Sequence, residues 1–189
     1  MQRLSLFAAT AALFLILTHA VPVASQAKPA AAPAGPTLVI TTAKGVVEIE
    51  MFPADAPKSV ARILELVKRS FYRGQRFHWV QPGVVQVGDV QSRDMTKRTD
   101  WGRGGSGPLN RLMPIGVAEI SKRVFDRGTV GYAYQNGQKP TDADSQIFIL
   151  RGANPALNGK YAAIGRVTKG MAVVDKIEVE DQIKDAVVK

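Results

Sequence analysis

Hydrophobic and polar positions alternate along this chain with two different periods. Leu38–Thr41 is a short apolar, β-branched run, and Ala43-Lys44-Gly45 reads as a turn. Val47, Ile49 and Met51 then alternate with Glu48 and Glu50, which is a β-hairpin with one wet face. The period changes after Asp55. Val60, Ile63, Leu64 and Val67 recur at i, i+3, i+4 and i+7, one apolar stripe on a helix. Asp55 offers an N-cap, and Pro57 falls in the first turn, where its missing N–H costs nothing. Lys68 and Arg69 close the last turn and complement the helix dipole. Strand-like runs return at 76–80, 84–87, 129–134, 146–150 and 162–167. A second, shorter helix is expected over Met171–Ile177, with Val174 and Ile177 inward. From Gln91 to Pro114 the chain is rich in Gly, Arg and polar residues and reads as one long surface loop. A loop of that length inside a compact domain is usually functional. Many short strands with two separated helices point to a closed or nearly closed β-barrel, not to an alternating α/β sheet.

The first 27 residues follow another pattern. Arg3 is their only charge, and an apolar run from Leu6 to Leu17 is broken only by Thr10. That run is shorter than the roughly 20 apolar residues a membrane-spanning helix needs. Thr18 with Ala20, and Ser25 with Ala27, each make a small-x-small cleavage site. Residues 1–27 are therefore expected to be a signal peptide, directing the protein to the periplasm or beyond the cell. Residues 28–36, mostly Ala and Pro, cannot bury a core and are expected to be a linker. Residues 37–189 are expected to form one domain, long enough for a single hydrophobic core.

Composition removes most chemistry. The chain of 189 residues has no Cys, so disulfides, thiol nucleophiles and Cys-ligated metals are excluded. Beyond the leader, His78 is the only His, which leaves no His pair for zinc. No Gly-x-Ser-x-Gly elbow accompanies it. His78 lies in an alternating strand between two aromatics and is expected to be a buried, hydrogen-bonded structural residue. Gly102, Gly104 and Gly107 match G-x-G-x-x-G, but a polar loop precedes them and Pro108 follows. The strand–turn–helix context of a dinucleotide site is missing, so they read as a turning loop. Asp142 and Asp144 lack the remaining ligands of a calcium loop and read as a polar turn. The net charge is +9, and Lys97, Arg98, Arg103, Arg111, Lys122, Arg123 and Arg127 crowd the middle. Such a surface attracts polyanions, but no nucleic-acid module accompanies it, and a solvated basic face is the simpler reading. What remains suits binding, or a reaction in which no covalent bond is made or broken.

Three stretches in the right order carry a resemblance. TTAKGVVEIEMFPADAPKSVARILELVKRSFYRGQRFHWVQPG, SQIFIL and ALNGKYAAIGRVTKGMAVVDKI are similar to the opening hairpin, helix and active-site strand, the Ser-Gln-Phe-Phe-Ile strand and the closing segment of bacterial cyclophilins. From about Leu38 to Ile177 the chain resembles that family throughout. The resemblance implies an eight-stranded antiparallel closed β-barrel capped by two α-helices. It also implies an exported peptidyl-prolyl cis–trans isomerase that assists protein folding and needs no cofactor.

Residue by residue, the resemblance assigns Gln146 to a polar clamp, Phe148 to the pocket floor and Leu157 to a pocket wall. Ala133 and Gly102 would let the substrate backbone approach, and Gln86 would bind its carbonyl. Tyr161 stands where members carry His or Tyr, Tyr134 where Asn is usual, and Val84 and Val85 where Phe and Met are common. Trp79 occupies the position of the family's catalytic Arg. Trp offers one neutral N–H where Arg offers a charged fork of five, so a weakened isomerase is expected. The chain is also one residue short between Pro82 and Gln86, and a one-residue slip exchanges the two faces of a strand. The expected partners are proline-containing peptides and unfolded or exported proteins. A monomer is expected, without nucleic acid and without membrane contact once the leader is removed. The alternatives are a non-catalytic proline-peptide binding module or chaperone, and a basic polyanion-binding protein.

Overall fold

The structure, a computed structural model, describes residues 35–135 and 137–189. The expected signal peptide and linker residues 28–34 lie outside the described residues. Among the described residues there are eight strands: β1 Thr37–Thr42, β2 Gly45–Met51, β3 Trp79–Gln81, β4 Val84–Val87, β5 Thr129–Tyr132, β6 Ile147–Leu150, β7 Ala163–Lys169 and β8 Ile183–Val188. They pair antiparallel in the order β3-β4-β6-β5-β7-β2-β1-β8 and make a curled half-barrel. Just ahead of the end strands β3 and β8, among the described residues, Arg76 and Gln182 form one isolated antiparallel bridge.

The alternation read from β2 holds: Val47, Ile49 and Met51 are buried in the inner core and Glu48 and Glu50 face outward. Helix α1, Pro57–Lys68, lays Val60, Ile63, Leu66 and Val67 on that core. Leu64 is only partly buried, so Leu66 takes the place the spacing gave to Leu64. Helix α2, Met171–Lys176, buries Val174, and Ile177 follows it inward.

Asp55 does not cap α1. The cap position is Ala56, which makes no side-chain bond. The Glu119 carboxylate, arriving from the segment between the long loop and β5, accepts from Lys58 N at 3.0 Å, Ser59 N at 2.8 Å and Ser59 Oγ at 2.7 Å. A carboxylate on orphan helix N–H groups does what a local cap does, worth about 1 kcal/mol. Asp55 instead binds the Arg123 guanidinium at 2.9 and 2.7 Å.

The long loop is held by two buried carboxylates. Asp89 Oδ1 accepts from Gln91 N at 2.8 Å, and Oδ2 accepts from Gly102 N at 2.6 Å and Gly104 N at 3.1 Å. Asp144 Oδ2 accepts from Ser106 N at 2.6 Å and Met113 N at 3.0 Å, and Oδ1 accepts from Arg62 Nη2 at 3.0 Å. Asp144 is thus a buried anchor and not a polar turn. The glycines exist to let these oxygens in. A Cβ on Gly104 would lie 2.3 Å from Asp89 Oδ1, and one on Gly105 would lie 2.5 Å from Asp144 Oδ2.

Candidate active site

One row of cross-strand neighbours builds the site. Trp79 on β3 faces Gln86 on β4, Gln86 faces Phe148 on β6, and Phe148 faces Gly131 on β5. Residues directly opposite in an antiparallel pair present their side chains to the same face, here the outer one. Gly131 leaves the floor of this row empty: a Cβ there would lie 2.0 Å from Phe148 Cζ. The far end of the Phe148 ring therefore lies over bare backbone, with the ring stacked on Phe125 at 6.2 Å between centroids and meeting Tyr161 edge-on at 5.4 Å.

Above the ring opens a cleft of about 130 Å³. Val84, Ala133, Phe148, Leu157 and Tyr161 give it apolar walls, with Trp79 and Gln86 on one side and Tyr134 on another. Tyr134 stacks on Tyr161 with centroids 4.7 Å apart and donates its hydroxyl to Lys160 O at 3.3 Å. Trp79 is 46% exposed, so its indole stands at the mouth of the cleft and is not folded into the barrel wall.

Three expected site residues sit elsewhere. Val85 is fully buried in the inner core and does not line the cleft. The two-residue turn Pro82-Gly83 pairs Gln81 with Val84, and this register sends Val84 and Gln86 outward and Val85 inward. Gln146, only 5% exposed, lies beneath the wall. Its Nε2 donates to Gly102 O and Gly104 O, both at 3.0 Å, so its Oε1 must be the atom that accepts from Gln86 Nε2 at 2.8 Å. It positions Gln86 and the loop from below. Gly102 lines not the cleft but an adjoining groove.

That groove, about 540 Å³, is walled by His78, Trp101, Gly102 and Arg103 and shares Trp79, Gln86 and Tyr134 with the cleft. His78 is half-buried where full burial was expected, and its two shielded ring nitrogens have no hydrogen-bond partner among the described residues. Burial pushes its imidazole below the usual pKa, opposed by the nearby Asp89 carboxylate and, from outside hydrogen-bonding geometry, by Gln146. Sequence reasoning missed Leu150 and Asn154 in the cleft and Trp101 and Arg103 in the groove. Leu150 was legible, since it lies two residues from Phe148 and shares its face. Asn154 carried no signal.

The comparisons with known proteins meet this geometry. A family model described as cyclophilin type peptidyl-prolyl cis-trans isomerase/CLD matches residues 37–189. The chain belongs to the cyclophilin-type peptidyl-prolyl cis-trans isomerase family. A Brucella suis protein named "Probable peptidyl-prolyl cis-trans isomerase" is 41% identical over 182 residues, covering 96% of this chain and 88% of that protein. A Helicobacter pylori peptidyl-prolyl cis-trans isomerase is 31% identical over 150 residues, covering 78% of this chain and 83% of its own. The crystal structure of a Cryptosporidium parvum cyclophilin-type isomerase superposes with a TM-score of 0.66 at 25% identity, over 82% of this chain and 97% of that one. A second structure of that protein, in the presence of the dipeptide Ala-Pro, superposes equally, with a TM-score of 0.66. The apolar cleft on the outer face of β4 and β6 is the candidate prolyl site of this cyclophilin-type chain.

Proposed function

We propose that this chain isomerises X-Pro bonds of exported polypeptides, assisting their folding, at a rate lowered by Trp79. The observation that carries the reading is one cleft on which Ala133, Phe148 and Leu157 converge with Trp79 and Gln86. Rotation about a peptide bond is opposed by about 18–20 kcal/mol of lost resonance. The two planar X-Pro forms differ by only about 0.5–1 kcal/mol, yet exchange in tens to hundreds of seconds. A catalyst needs only to bind the twisted amide better than either planar form.

Each wall of the cleft has a part in that. Phe148, Leu157 and Val84 take the proline ring and exclude water, which favours the less polar, twisted amide. Gln86 Nε2 spends one N–H on Gln146 and keeps the other for the substrate carbonyl. Trp79 stands where a donor to the imide nitrogen would act, and it offers a single neutral N–H. The absence of one strong donor from such a site costs about 10²–10³ in rate. The same substitution favours a second reading, a proline-peptide binding module or chaperone with little turnover, because an aromatic mouth grips proline-rich chains well. The bridge from Arg76 to Gln182 supports reading the half-barrel as closing on itself.

The test is isomerisation of an X-Pro peptide by the purified protein and by Trp79→Arg. The variant is expected to raise kcat/KM by about 10²–10³. No gain, with peptide still bound, would favour the binding module. Turnover by the unmodified protein at ordinary cyclophilin rates would remove the weakening. Export rests on the Leu6–Leu17 run. Mass analysis of the exported protein should find a chain that starts after Ala20 or Ala27.

A further inference from the structure

The groove beside the cleft carries one charge. Among the described residues that line it, Arg103 alone is charged. His78 contributes a neutral ring, and Asp89 is spent below on backbone N–H groups. The backbone on both sides of Arg103 is fixed. Gly102 N and Gly104 N donate to Asp89, and Gly102 O and Gly104 O accept from Gln146 Nε2. Four hydrogen bonds thus present this one side chain, and Gln146 ties the clamp to Gln86 at the cleft. The Arg103 side chain is 74% exposed, and the nearest carboxylate oxygen, on the half-exposed Asp100, is 3.9 Å away. That separation is too long for a good ion pair, so most of its hydrogen-bonding capacity is open. Because the groove and the cleft share Trp79, Gln86 and Tyr134, a peptide whose proline fills the cleft carries its neighbours past Arg103.

We infer that Arg103 makes this protein prefer polypeptides that carry a carboxylate side chain within a few residues of the isomerised X-Pro bond. This rests on the reading of the cleft as the prolyl site. The fixed backbone lowers the ordering cost of the contact. The exposure of the guanidinium keeps the gain to a few-fold and makes it sensitive to salt.

The test uses one X-Pro peptide series in which Glu, Gln or Lys occupies, in turn, each of the three positions before the proline and each of the three after it. kcat/KM and Kd are both measured, at low and high ionic strength. At one or more positions Glu should be favoured over Gln, and Gln over Lys, by about two- to five-fold per step. The order should flatten at high ionic strength, persist in Arg103→Lys and invert in Arg103→Glu. Equal Kd and kcat/KM for the three peptides at every position would overturn the inference, as would an order that survives Arg103→Glu. Binding without turnover of any peptide would sink the isomerase reading alone, and the order of Kd would still decide the role of Arg103.

Discussion

Strand β6 gives apolar side chains to two separate hydrophobic groups. Ile147 and Ile149 point inward and join the main core with Ile49, Ile63 and Phe77. Phe148 and Leu150 point outward and join a smaller group with Phe125, Ala133 and Ala163. The inner group is sealed, so each side chain there serves packing. In the outer group the Phe148 ring takes the space over the bare backbone of Gly131, and the cleft above the ring stays open between Val84, Leu157 and Tyr161 as half-buried walls. The lesson is that burial alone does not separate core from site. What separates them is whether the apolar group has a complete lid.

Substitutions on either side of β6 should split stability from activity. Ile149→Ala should cost about 2–5 kcal/mol of unfolding free energy, with kcat/KM per folded molecule unchanged, as denaturant titration and peptide isomerisation would report. Leu157→Ala should do the reverse. It removes a half-buried wall, so kcat/KM should fall about tenfold, the worth of burying one such side chain against a ligand, while stability shifts by less than about 1 kcal/mol. Comparable stability losses in both variants would mean that the outer group is simply more core.

His78 lies on the boundary, between Phe77 of the inner core and Trp79 at the cleft mouth, and tests it more gently. Burial depresses its pKa in the folded state. Below the ordinary His value of about 6.5 the unfolded chain takes up a proton that the native state refuses. Stability is therefore complete near neutral pH and declines as the pH falls through that value. His78→Gln should flatten the decline between pH 7 and 5.5 in a thermal melt. An unchanged slope would show that the ring is solvated and belongs with the groove.

Much of the fold could be read from alternation. β2 and both helices lie where their periods put them, because each has one wet and one dry face. β6 could be located but not oriented, since four apolar residues in a row carry no alternation. β8 was not legible. Its pairing with β1 shifts between Thr41 and Thr42, which spaces its buried residues, Ile183 and Ala186, three apart. In the site, Phe148, Leu157, Ala133 and Gln86 came from family likeness and not from pattern. That Val84 lines the cleft and Val85 does not turned on a two-residue hairpin whose register no local propensity reveals. In the sequence Arg103 is only one basic residue among seven, inside a glycine-rich stretch that reads as a turning loop. The glycines instead admit a carboxylate from inside the protein.

One further consequence concerns the order of events during folding. Helix α1 has no side-chain cap of its own, and the carboxylate that completes its first turn belongs to Glu119, 61 positions beyond Lys58. A nascent chain therefore carries an unfinished helix until the segment around residue 119 has emerged and closed back on it. Closing so long a segment is entropically slow. A fragment ending before Glu119 should hold α1 only as a fraying turn at its leading end.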